Sequence, residues 1–129
     1  MIEPQQRQLM IQALEETMIY GRELSGACEE ISNFFRRGEA ERGIKLLQQF
    51  LEGVGWISQA LHMTQEVQKE CSVQIDLNEL PSSLEPLVNA LENKDYGLVG
   101  DILVYEVEPL LDRWSGELEK GLSDPCKVS

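Results

Sequence analysis

Apolar and small residues recur every three or four positions along this chain, over runs far longer than any strand. Leu9, Ala13, Thr17, Tyr20, Leu24, Ala27, Ile31 and Phe34 step by 4, 4, 3, 4, 3, 4 and 3. That is the period of a helix with one buried face. Glu15, Glu16, Arg22, Glu23, Glu29, Glu30 and Arg37 lie mostly off the stripe. The pattern predicts a first helix from about Pro4 to Phe35. Pro4 suits the first turn, where a missing N–H costs nothing. Gly21 and Gly26 each weaken the helix by about 1 kcal/mol relative to Ala, so close approach of a neighbour, or a kink, is expected there. Arg36, Arg37 and Gly38 close it with two cations and a residue suited to the left-handed cap.

A second helix is predicted from about Glu39 to Glu70. Ala40, Ile44, Leu47, Leu51, Val54, Ser58 and Leu61 form one stripe, and Phe50, Trp56, Ile57, Ala60, Met63 and Val67 form another beside it. So wide an apolar face implies two neighbours, and Gly53 and Gly55 suggest a bend. Residues Cys71 to Pro81 read as an extended connection, with Val73, Ile75 and Leu77 plugging an end of the core. A short third helix starts near Ser82 or Ser83, either of which would cap it, and stops near Asn93-Lys94-Asp95. The fourth runs from Asp95 or Tyr96 to about Glu119, kinked at Pro109. The fold expectation is all-α: an antiparallel four-helix bundle, two long helices followed by a short and a medium one. Residues 1–120 would form one domain, and 121–129, with Cys126, a frayed tail.

Charge narrows the function. The 129 residues carry 23 Asp and Glu against 11 Lys and Arg, a formal charge of −12. Neither nucleic acid nor an anionic membrane surface is the expected partner, because both select clustered cations. No apolar run approaches the roughly 20 residues that cross a bilayer, and the residues after Met1 do not read as a secretory signal. Three widely spaced cysteines, Cys28, Cys71 and Cys126, read as free thiols in a reducing cytoplasm.

Catalytic and metal-binding signatures are weak. A dinuclear bundle site needs Glu-x-x-His twice, whereas His62 is the single histidine and position 59 is Gln. His62 therefore reads as a packing or half-exposed side chain. Asp76-x-x-Glu79 and Glu92-x-x-Asp95 have the spacing of magnesium-binding pairs, but they fall in a connection and at a helix end. No catalytic residue, cofactor or metal is expected. The odd residue is Glu106, which lies between Ile102, Leu103 and Leu110 inside the apolar stripe of the fourth helix. A carboxylate there would be hydrogen-bonded inside the fold, at a stripe edge facing water, or functional. Trp56 and Met63 are the candidate partner-binding pair, because Met reshapes to fit its neighbours and an apolar face this broad leaves surface to spare.

The segment Asp101-Ile-Leu-Val-Tyr105-Glu106-Val-Glu-Pro109-Leu-Leu-Asp-Arg-Trp114 resembles a stretch in a family of small uncharacterised helical proteins of Gram-positive bacteria, for which no activity is established. More loosely, the size, acidity and helical pattern are similar to flagellar and secretion chaperones. Those chaperones hold a partner's amphipathic helix in the cytoplasm, and the wide apolar faces without a catalytic constellation point the same way: a cytoplasmic, non-catalytic protein that binds a partner's amphipathic helix, or itself as a homodimer. The alternative is a small-molecule or metal-dependent enzyme with an interior site at Glu106, assisted by Tyr105, His62 and Asp101.

Overall fold

The computed structural model describes residues 2–123. Every regular element among them is helical: α1 (Pro4–Arg36), α2 (Ala40–Met63), α3 (Gln65–Glu70), α4 (Glu79–Glu92), α5 (Tyr96–Ile102), a π-helical segment (Leu103–Val107) and α6 (Glu108–Leu122). The all-α expectation is met, and the long first helix has the expected limits.

Helix α1 is the hub. It packs against α2, α5, the π segment and α6, while α4 packs against α5 and the π segment. Its side towards α6 is lined by small residues. A Cβ added to Gly21 would lie 2.7 Å from Ser115 Oγ, and one on Gly100 would lie 2.8 Å from Ser32 Oγ. Ser25 Oγ donates to Asp112 at 2.5 Å, and Ser115 Oγ donates to the Met18 carbonyl at 3.2 Å. Rising numbers on α1 meet falling numbers on α5 and α6, so the two stretches run in opposite directions. On the other side, Phe35 covers Gly43, and the Tyr20 hydroxyl sits where a Cβ on Gly53 would be, 2.5 Å away. Phe35 also stacks on Tyr96, with centroids 5.2 Å apart.

The predicted second helix breaks at Thr64. There the Thr64 hydroxyl donates to the Ala60 carbonyl at 2.8 Å, and buried Gln68 Nε2 donates to the Leu61 carbonyl at 2.6 Å. A side-chain amide thus satisfies a carbonyl that the break sets free. Helix α4 starts at Glu79, earlier than expected, with Pro81 in its first turn. Ser82 and Ser83 do not cap it; their hydroxyls donate back to the carbonyls of Asn78 and Glu79. In the connection, Val73 is buried and Ile75 and Leu77 pack against the core. Helix α6 runs through Gly121 to a buried Leu122. The expected tail beyond it, with Cys126, lies outside the described residues.

The fourth predicted helix contains the clearest correction. Just before Pro109 the chain widens into a π turn, with the Glu108 N–H donating to the Leu103 carbonyl. Pro109 has no N–H to offer Tyr105, and its ring would crowd that carbonyl. An i→i+5 turn takes up about one extra residue and relieves the clash. Val107 turns into the core while Glu106 turns out, so Glu106 is exposed and not the interior carboxylate expected.

Two glycines on α1 should respond with opposite signs. Gly26 faces open space, so Gly26→Ala should raise stability by about 1 kcal/mol. Gly21→Ala should lower it, because its methyl meets Ser115. Urea melts of both variants check the pair; equal shifts would contradict the close approach.

Candidate functional site

Three exposed large apolar side chains lie where the N-terminal half of α1 meets the C-terminal half of α2. Leu9, Met10 and Ala13 from α1 face Trp56, Gln59, Ala60, Met63 and Thr64 from α2 across a groove of about 410 Å³. Leu9 is 65% exposed, Met63 69% and Trp56 45%. The groove follows from helix length and register: α2 ends at Met63, and Leu9 falls one step outside the buried positions Ile11 and Leu14. The Thr64 hydroxyl is spent on Ala60, which leaves the floor mostly hydrocarbon. Both residues singled out by sequence, Trp56 and Met63, line this groove. Leu9 was read as a core position and is its third anchor.

Trp56 has a second neighbourhood. Its ring meets that of Tyr20 edge-on, with centroids 5.7 Å apart and planes at 77°. Together with Glu16, Gln49, Glu52 and Gly53, these rings line a hollow of about 510 Å³. Sequence reading missed this hollow, because Tyr20 looked like core and Glu16 looked like an ordinary solvated position. The signal available was spacing: Glu16 and Tyr20, like Glu52 and Trp56, lie four apart and so share a face.

The alternative site does not assemble. Glu106, Tyr105, Asp101 and His62 are all exposed. Of the acids with magnesium-like spacing, Glu79 pairs with Arg113 at 2.5 Å, Asp76 accepts from the Asn78 N–H, and Asp95 accepts from the Leu98 N–H. Among the described residues, no group of three or more His, Cys, Asp or Glu is placed to hold a metal ion. No described helix is long and apolar enough to cross a membrane.

One thiol is strongly perturbed. Cys28 is fully buried on α1 and is free, while Cys71 is disulfide-bonded, unlike the free thiol expected. Burial, with the nearby charges of Glu108 and Asp112, pushes the Cys28 pKa from 9.0 up to about 12. Partial burial, then the charges of Glu29 and Asp112, also push the Glu108 carboxyl upward. A thiol this reluctant to ionise is a packing group, not a nucleophile.

Residues 12–117 match the family model described as a domain of unknown function, DUF8042. The chain belongs to that family, and the match includes the segment that carried the resemblance noted above. Searches among curated proteins and among solved structures find no match.

The raised Cys28 pKa sets a pH signature. The folded state holds the thiol neutral, so its contribution is intact below pH 9 and is lost as pH rises towards 12. Over that window the stability of the wild type should fall faster than that of Cys28→Ala, by up to about 1.4 kcal/mol per pH unit. Parallel pH curves from urea melts would show that the thiol is not held neutral.

Proposed function

We propose that this DUF8042 member is a non-catalytic interaction protein, an antiparallel helical bundle whose α1–α2 groove receives the apolar face of a partner's amphipathic helix. The observation that carries the reading is the clustering of Leu9, Trp56 and Met63 around one apolar groove. Hydrocarbon left open in this way is costly unless something covers it. A groove between two helices fits a third helix, which would bury residues spaced by three, four and seven. Self-association is the weaker form of the idea: each copy carries −12, and pairing groove to groove would bring acidic flanks together.

Trp56 supplies the readout. Trp114→Phe leaves it as the sole indole. Trp114 Nε1 is buried without a hydrogen-bond partner among the described residues, so losing that N–H forfeits no bond. In this background a model amphipathic helical peptide should shift Trp56 emission to the blue and saturate. A scrambled peptide of the same composition should not. Leu9→Ser with Met63→Ser should weaken the binding at least about tenfold while leaving the melting temperature nearly unchanged, since both side chains are exposed. Equal responses to both peptides, or an unaltered affinity in the double variant, would sink the proposal.

A further inference from the structure

We infer that the hollow beside the groove, walled by Tyr20 and Trp56 and flanked by Glu16 and Glu52, is a pocket for a cationic side chain of the partner, an arginine or a lysine. The inference rests on the proposed docking groove and adds the partner's chemistry to it. Two aromatic rings packed edge to face line the hollow, and an aromatic face is a surface that attracts a cation. Glu16 and Glu52 add two formal charges at its edges. Both acids are exposed, and among the described residues neither is held in an ion pair. Some acids elsewhere on the surface are matched: Glu70 by Arg7, Glu119 by Arg22, Glu79 by Arg113. Gly53 lets Tyr20 lie close against α2, because the Tyr20 hydroxyl occupies the space a Cβ would need there.

Trp56 belongs to both the groove and the hollow, so one ligand reaches both. The two sets of lining residues are displaced by roughly seven residues along α1 and α2, about 10 Å of helix. A partner helix lying along the seam would therefore present an apolar anchor and a cation about two turns apart. The charge of the chain suits such a ligand, since −12 draws basic segments in from a distance.

Two amphipathic peptides test the pocket, identical except for arginine or its neutral isostere citrulline seven residues from the leucine anchor. Each is titrated into the Trp114→Phe protein at low salt and followed by Trp56 fluorescence. The arginine peptide should bind at least about fivefold more tightly. The difference should vanish in Glu16→Gln/Glu52→Gln, whose affinity for the citrulline peptide stays as it was, and it should shrink at high salt. If both peptides saturate with equal affinity, the cation pocket is wrong and the groove stands. If neither saturates, groove and pocket fall together.

Discussion

The close approach of α1 and α6 is the interaction on which the rest of the structure depends. Gly21, Ser25, Cys28 and Ser32 lie along one line of α1 at steps of 4, 3 and 4, and all four are buried. Small side chains there let the second helix come near enough for Ser115 to reach a backbone carbonyl of α1. Dispersion attraction between backbones at such short range offsets the loss of large apolar groups from the seam. A fully buried, neutral thiol at position 28 fits this seam, and an ionised one would not.

That seam also decides where the open surface lies. With α5, the π segment and α6 on one flank of α1, α2 is left to cover the other. Near its N-terminus, α1 lies beside the end of α2 and the short α3, and Arg7 of α1 reaches across to Glu70 at 2.8 Å. The outer face of Leu9, Met10 and Ala13 then meets Trp56 and Met63, with no further helix beyond among the described residues. The groove is thus a consequence of unequal helix lengths around a common hub. In the proposed function, a helix from another protein takes the place that is left.

Much of this was legible in the residues. The 3–4 periodicity located α1, the fourth helical stretch and most of α2, because large apolar side chains mark a buried stripe whatever the details of the neighbours. The face of α1 was harder to place. Four of its ten buried residues are glycine, serine or cysteine, which do not stand out as large apolar positions, so the predicted stripe ran along the edge and took Leu9 as buried. The break at Thr64 was hidden because it depends on one buried amide, Gln68. Glu106 was placed in the stripe for a similar reason: even α-helical spacing was assumed up to Pro109, whereas a π turn at Leu103–Val107 breaks that register. The exposure of Trp56 and Met63 was legible because they sat on a face wider than one neighbour can cover. The hollow at Tyr20 was not, since a tyrosine at helical spacing has the same pattern whether it packs inward or lines a rim.

The central claim, that a helix docks between α1 and α2, is tested most directly by isotope-filtered NOEs. The protein would be labelled and the amphipathic peptide left unlabelled. Cross-peaks are expected from the peptide to the Leu9 methyls, the Met63 ε-methyl and the Trp56 indole, with none to buried Leu14 or Leu111. Cross-peaks mapping instead to Val88 and Leu98, exposed on α4 and α5, would contradict it.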